Sequence, residues 1–384
     1  MRVDSGAGSG KTTIMSSVYQ YYQEVSKSID IFDENEAIPE LYFTATTQPA
    51  VVQLQTVGCE NAKTIYSFLN LTVGKDYKNG GTYVYQRNAT LFKPDTVCIV
   101  DEASFIDETV KKYMLASGIK FILTGDDHQF LNVDNNTGVV VPFNSSNDLT
   151  NEETFRFKDP KLAEYVLTLK HNVRDKCIKQ IPDNIGNSLH CLNDDQFLAT
   201  LTDAFDQEPN ECLVITFTNK NVTYYETNIR SQLGLPDDIR TDDTLVFKSA
   251  LRHTMGYRIS PSGGKTFTKI KVLEDYHKLA GLTGRLLQAE SIEFTKVASK
   301  HKPGGAAYIV KDYAPVNKLI GKLRRMKAWN EFYAVKDLTA VANYGYASTA
   351  HGSQGLSVPY VFIDFTDIGT MAKIVGKDTI ARMV

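Results

Sequence analysis

The chain has 384 residues, 42% of them hydrophobic and 23% charged, with a net charge of −3. That is length enough for two or three domains with sizeable cores, and it excludes a protein that is basic all over. Cys59, Cys98, Cys177, Cys191 and Cys212 are scattered, with no C-x-x-C and no Cys/His cluster; this excludes a disulfide framework and a zinc site and fits a reducing compartment.

The first element opens MRVDSGAGSGKTT. Gly6, Gly8 and Gly10 leave backbone N–H groups unobstructed around a phosphate. Lys11 would reach the β and γ oxygens, and the Thr12 hydroxyl, with Thr13 beside it, would ligate Mg²⁺. A following helix adds the positive end of its dipole. Ser5 stands where the strict G-x-x-x-x-G-K-[ST] pattern has glycine, and Met1, Arg2 and Val3 leave hardly any strand before the loop. Over residues 14–29, Ile14, Val18, Tyr22, Val25 and Ile29 are spaced to line one helix face.

Three apolar runs follow, LYFTA (41–45), TVCIV (96–100) and IKFILT (119–124). Their continuity predicts strands buried on both faces of a parallel sheet, each ending where α/β proteins place their chemistry. The second run leads into Asp101 and Glu102. Two adjacent carboxylates can hold Mg²⁺ through water and orient and deprotonate an attacking water, although such a pair also occurs at plain solvated strand ends. The third leads into Gly125, Asp126, His128 and Gln129. The Gln129 amide can donate to a γ-phosphate and accept from water, whereas His128 lacks metal partners and reads as a packing or surface histidine.

Between them, KDYKNGGTYVYQ (75–86) predicts a projecting β-hairpin turning at Asn79-Gly80-Gly81. A second α/β signature begins near Leu162, with strands CLVITFT (212–218) and YVFIDF (360–365). Residues 251–335 are less regular, with SPSGG and KPGG turns and the basic segment NKLIGKLRRMK. They read as a small β-type insertion plus a basic helix. No apolar run approaches the length of a membrane span, and no signal-peptide pattern is present.

Taken in order, SGAGSGKT, TIYSFL (64–69), VDEAS, TGDDHQ, LTLKHNVR (167–174), TFTNKNV (216–222) and YASTAHGSQGLSVPYVFID (346–364) resemble the motifs of superfamily 1 helicases. The set is similar to the RecD/Dda-like, 5′-to-3′ branch and spans nearly the whole chain. The resemblance implies an α/β fold of two RecA-like P-loop NTPase domains with ATP between them. Residues 1–150 would be the first, carrying a pin-type hairpin at 72–95. Residues 151–250 and 336–384 would be the second, interrupted by an SH3-like accessory insertion at 251–335. Lys11, Asp101, Glu102 and Gln129 would form the first wall of the ATP site, with Arg174 reaching the phosphates and Mg²⁺ held by Thr12 and Asp101.

The resemblance also assigns nucleic-acid contacts. Thr46 or Thr47, Thr64, Ser67, Thr349, His351 and Gln354 would track phosphates without reading sequence. Ser67 equally suits a bond to its own helix, and His351 a packed core histidine. Gly352 departs from the family, which has a basic residue there. Tyr83, Tyr85 and Phe92 would stack at the fork or serve as cross-strand pairs of the hairpin. Lys318, Lys322, Arg324, Arg325 and Lys327 would be a solvated face or a nucleic-acid contact.

The implied function is an ATP-dependent helicase on single-stranded or forked DNA, monomeric, without a membrane partner, in the cytoplasm of a bacterium or phage-infected host. A viral RNA helicase stays open, because nothing here reads the 2′-OH. So does an ATP-gated nucleic-acid-binding module that hydrolyses little. The strand and adenine-contacting segment expected before the first motif are missing, as is the arginine-bearing motif VI after IARMV (380–384). The expectation is therefore a fragment of a longer helicase.

Overall fold

A computed structural model describes residues 1–5, 9–28, 39–93, 95–126, 148–151, 157, 159–174, 184–186, 188–241, 243–247, 251–252, 258–259, 268–274, 287, 292–299, 306–339, 342–353, 356 and 358–369. The chain divides into two compact units, one from Met1–Thr72 and Gln86–Gln196, the other from Val73–Tyr85 and Phe197–Asp367.

In the first unit, β1 (Arg2–Ser5), β2 (Leu41–Ala45), β3 (Lys63–Thr64), β6 (Val97–Asp101), β7 (Lys120–Gly125) and β8 (Asp148–Asn151) form one sheet in the order β3-β2-β6-β7-β1-β8. Every neighbouring pair is parallel. The three apolar runs are β2, β6 and β7, and Phe43, Ala45, Cys98, Ile99, Val100 and Leu123 are buried.

The expectation that no strand precedes the glycine-rich loop is corrected. β1 lies between β7 and β8, with Arg2 opposite both Leu123 and Asp148. Leu123 also donates its N–H to the Met1 carbonyl at 3.0 Å. A short strand suffices because its backbone groups find partners on both sides, and those partners are far away in sequence.

The face expected to line the first helix is corrected too. In α1 (Lys11–Ser28), Met15 is 3% exposed and Tyr19 packs edge-on against Phe43 at 5.6 Å, whereas Ile14 and Val18 are 58% and 37% exposed. Met15 joins Val51 and Leu54 of α2 (Gln48–Thr56) in the core, so the packed face is displaced by one residue from the most regular apolar spacing. Ile29 lies outside the described residues. The unit also holds α3 (Ile65–Phe68), α4 (Glu108–Ala116), α5 (Pro160–Arg174) and the two-residue strands β9 (Asn184–Ile185) and β10 (Leu189–His190).

The predicted hairpin is β4 (Leu71–Lys75) and β5 (Thr82–Gln86). Asp76 builds its turn, accepting at Oδ1 from the N–H groups of Lys78 (2.8 Å) and Asn79 (3.0 Å). Residues 73–85 belong to the second unit, where they meet α9 (Trp329–Leu338). The Trp329 ring lies where a Cβ on Gly80 would come within 2.3 Å, and Gly80 has φ +78°, so glycine is required there on two counts. The Tyr333 hydroxyl donates to the Gly81 carbonyl at 2.6 Å, and Lys75 pairs with Asp337.

α6 (Asp194–Gln207) leads into the second unit, where β11 (Cys212–Thr216), β19 (Ala347–Thr349) and β20 (Tyr360–Ile363) form a parallel sheet in the order β19-β11-β20. Its core joins Leu201, Phe205 and Val214 to Val222 and Ile229 of α7 (Asn219–Gln232). A second sheet, order β17-β16-β15-β12-β18, is antiparallel. It comprises β12 (Thr244–Phe247), β15 (Thr268–Glu274), β16 (Phe294–Ser299), β17 (Ala306–Val310) and β18 (Ala342–Asn343). β13 (Leu251–Arg252) pairs separately with β14 (Arg258–Ile259). Val316, Leu319 and Leu323 of α8 (Tyr313–Arg325) pack with Phe294 and Tyr308, which leaves Lys318, Lys322, Arg324, Arg325 and the adjoining Lys327 exposed.

Two polar anchors hold the parallel sheet of this unit. Arg230, 1% exposed, pairs with Asp243 at 3.2 Å, donates to the Pro236 carbonyl at 2.6 and 3.1 Å, and lies 3.7 Å over the Tyr344 ring. Asp367, just past β20, accepts from the Phe217 and Thr218 N–H groups at 2.7 and 2.8 Å and from the Thr216 hydroxyl. It thereby ties β20 to the turn between β11 and α7. Burial pushes the Asp367 carboxyl up, but these hydrogen bonds bring it below the ordinary carboxylate range. Asp367→Ala strands buried donors and should cost about 2–3 kcal/mol at neutral pH. The difference from wild type is full above about pH 4 and shrinks as pH falls through the depressed pKa of Asp367; urea unfolding of both proteins across that range checks it.

Candidate nucleotide and strand-binding site

Because β1, β6 and β7 run parallel, their C-terminal ends lie along one edge of the sheet, and the residues after them are brought together there. After β1, Ser9 is buried, Gly10 has φ +84°, and its carbonyl accepts the Ile14 N–H at 2.9 Å, opening α1 at Lys11. Lys11 and Thr12 are half-buried in the first turn, whereas Thr13 is exposed. Gly6 and Gly8 lie outside the described residues.

At the end of β6, Asp101 is 4% exposed. Its Oδ1 accepts from the Thr124 hydroxyl and the Glu102 N–H, both at 2.9 Å. Burial raises the Asp101 carboxyl above the ordinary carboxylate range, and Thr124, the Glu102 N–H and the charge of Lys11 only partly offset it. Glu102 is half-buried and has left-handed backbone angles, φ 52° and ψ 41°, rare for a residue with a side chain. Asp126, after β7, is 2% exposed. Gln129 and His128 lie outside the described residues.

The same edge carries hydroxyls. Thr47 caps α2, accepting the Ala50 N–H at 3.4 Å, and Thr64 caps α3, accepting from Ser67 at 3.1 Å. As acceptors, both keep a proton to donate. Thr46 differs: its hydroxyl donates to the Glu102 carbonyl at 2.9 Å. Ser67 is exposed. Phe92 stacks on Phe68 with centroids 4.8 Å apart, so one face of its ring serves packing in the first unit.

In the second unit, Thr349 ends β19 and accepts the Gly352 N–H at 3.1 Å. A Cβ on Gly352 would lie 2.8 Å from the Ser348 hydroxyl and 2.9 Å from that of Thr349. Glycine there lets α10 (Ala350–Ser353) close directly on the Thr349 cap. His351 lies in α10 and Arg174 ends α5 by their backbones, while Gln354 lies outside the described residues. On the hairpin, Tyr83 and Tyr85 are 53% and 39% exposed with centroids 5.7 Å apart.

The donor set fits a nucleoside triphosphate with its cation. The Ser9 and Ser104 hydroxyl oxygens are buried with no hydrogen-bond partner among the described residues, and Lys11 and Asp101 stand near one another. Thr124, Asp367 and Arg230 were not singled out by sequence reasoning. Thr124 had a signal, as the last residue of a buried strand beside the one ending in Asp101. Asp367 and Arg230 had none, because their partners are set by tertiary contact.

A model described as an AAA domain matches residues 1–194, half of the chain. The chain belongs to the AAA domain family. This AAA domain protein is accordingly a P-loop NTPase built on parallel α/β sheets. No curated protein matches its sequence. Among solved structures it is similar to a Pif1 helicase from Bacteroides in complex with ADP-AlF3 and ssDNA, at 13% identity and TM-score 0.45, over 94% of this chain and 81% of that one. It is also similar to Pif1 from Candida albicans, at 14% identity and TM-score 0.42, over 100% and 88%. A structure of two coordinating Pif1 helicases unwinding forked dsDNA matches at 15% identity and TM-score 0.45, over 94% and 81%. Among the described residues of the AAA domain protein, no helix is long and apolar enough to cross a membrane.

Thr124→Val removes one of the two hydrogen bonds that favour ionised Asp101. The expected result is about 5- to 30-fold weaker Mg²⁺-dependent nucleotide binding, from one to two kcal/mol lost. Titration with a fluorescent ATP analogue at fixed Mg²⁺ measures it.

Proposed function

We propose that the protein is an ATP-driven helicase that translocates on single-stranded DNA in the 5′-to-3′ direction. The observation that carries this reading is the shared edge of the first sheet, where Lys11, Asp101 and Glu102 stand with the hydroxyls of Thr47 and Thr64. A nucleotide site and a row of phosphate-tracking groups on one rigid scaffold is what a motor on a strand requires.

In this reading Gly6, Gly8, Gly10, Lys11 and Thr12 cradle the phosphates, and Thr12 and Asp101 hold Mg²⁺. The cation would neutralise charge on the phosphate oxygens. Glu102 orients the attacking water and takes its proton. Gln129 and Arg174 are assigned by motif resemblance to sensing and binding the γ-phosphate. Thr349, His351 and Gln354 are assigned in the same way to the strand, on the second of two RecA-like domains. The β4–β5 hairpin is read as the strand-separating pin, with Tyr83 and Tyr85 as its stacking faces. The antiparallel sheet with α8 is read as an SH3-like accessory insertion.

ATP turnover should rise with single-stranded DNA. Lys11→Ala should abolish it, and Glu102→Gln should lower it by about 10²–10⁴-fold while nucleotide still binds. Matched DNA and RNA oligonucleotides identify the strand. Nucleotide binding with turnover that no strand stimulates and that Glu102→Gln leaves unchanged would replace the helicase with an ATP-gated binding module. Tyr83→Ala combined with Tyr85→Ala should reduce duplex unwinding more than strand-stimulated turnover, since stacking contributes about 1–3 kcal/mol per base.

A further inference from the structure

Thr46 spends its hydroxyl proton on the backbone of the turn after β6, whereas Thr124 spends its own on the Asp101 carboxylate. The Thr46 Oγ1 donates to the Glu102 carbonyl at 2.9 Å, and its backbone N–H reaches the Asp101 carbonyl at 3.3 Å. The Glu102 carbonyl also accepts the Phe105 N–H at 3.1 Å. Glu102 is thus gripped through its N–H by Asp101 and through its carbonyl by Thr46, while its own angles are left-handed. Such angles persist in a residue with a side chain only where the surroundings impose them.

The next residue, Thr47, faces the other way in function. It caps α2 and keeps its proton for an outside acceptor. One peptide bond therefore separates a group able to bind a strand phosphate from a group that holds the backbone of Glu102.

We infer that Thr46 is a positioning residue, not a strand contact: it holds the Glu102 backbone in its left-handed turn and ties strand binding at the start of α2 to the carboxylate that orients water. The inference rests on the helicase reading for its consequence in turnover, but the link between Thr46 and the Glu102 turn stands on geometry within one unit.

Thr46→Val keeps the shape and removes the donor; Thr46→Ser keeps the donor. Thr46→Ala serves as a second donor-less variant should the valine protein be unstable. At saturating single-stranded DNA, Thr46→Val is expected to lower kcat by about 10²-fold, the scale of a small misplacement of a catalytic group. The ATP KM and the DNA concentration for half-maximal stimulation should move far less, and Thr46→Ser should recover most of the rate. A weakened DNA response with kcat intact would overturn the inference, because it would make Thr46 an ordinary phosphate contact.

Amide hydrogen exchange over Asp101–Phe105 reads the link independently of turnover. Thr46→Val should speed exchange there and Thr46→Ser should not; unchanged exchange in Thr46→Val overturns the inference. If the wild-type chain shows no strand-stimulated hydrolysis, the helicase reading falls, and the exchange comparison still decides whether Thr46 holds the Glu102 turn.

Discussion

Asp101 is a carboxylate almost wholly withdrawn from water, and such a group costs free energy unless hydrogen bonds and opposite charge surround it. The first unit is arranged around meeting that cost. β7 must lie beside β6 for the Thr124 hydroxyl to reach Oδ1, and the turn after β6 must fold back for the Glu102 N–H to reach the same oxygen. β1 must lie beside β7 for the glycine-rich loop to bring the charge of Lys11 close. The hydrogen bonds and charge that partly offset this burial also favour the ionised carboxylate, so the same contacts serve architecture and the proposed chemistry.

The second unit meets a similar problem with different residues. Its three-strand parallel sheet is small, and the segments entering and leaving it are fastened by polar anchors. Arg230 gathers the 236–243 segment and the approach to β19, and the Gly345 N–H donates to Glu226 at 3.0 Å on the same helix. Asp367 fastens the end of β20 to the start of α7. The Asp367 carboxylate is well supplied with donors, the condition under which a buried ionic group specifies geometry without being a net penalty, whereas Arg230 Nη1 meets Asp243 as an ion pair without a hydrogen bond.

The threonines at the first sheet's edge differ in how their hydroxyl protons are used, and that sorts their work. Thr47 and Thr64 accept from the chain and keep a hydroxyl proton to donate, while Thr46 donates its own to the Glu102 carbonyl. Residues adjacent in sequence and identical in type thus take different parts, one capping α2 and the other bonding the backbone carbonyl of Glu102. In the second unit the hydrogen bond from Gly352 to Thr349 repeats the accepting arrangement.

Much of this was legible in the sequence. The runs 41–45, 96–100 and 119–124 are apolar without interruption, which only strands covered on both faces tolerate. The loop ending in Lys11 and the Asp101–Glu102 pair carry their chemistry in residue type and spacing alone. Asn79-Gly80-Gly81 announced its turn because local backbone angles demanded it. What only the tertiary structure decided depends on partners distant in the chain. The strand Arg2–Ser5 exists through β7 and β8, and the packed side of α1 was chosen by Phe43 and not by the evenest apolar spacing. Phe92 was drawn to Phe68, and Thr46 to the carbonyl of Glu102. Residue type and local spacing determine which chemistry a segment can perform; which hydroxyl, ring or carboxylate is already spent on a neighbour is set by packing, because the neighbour lies tens of residues away.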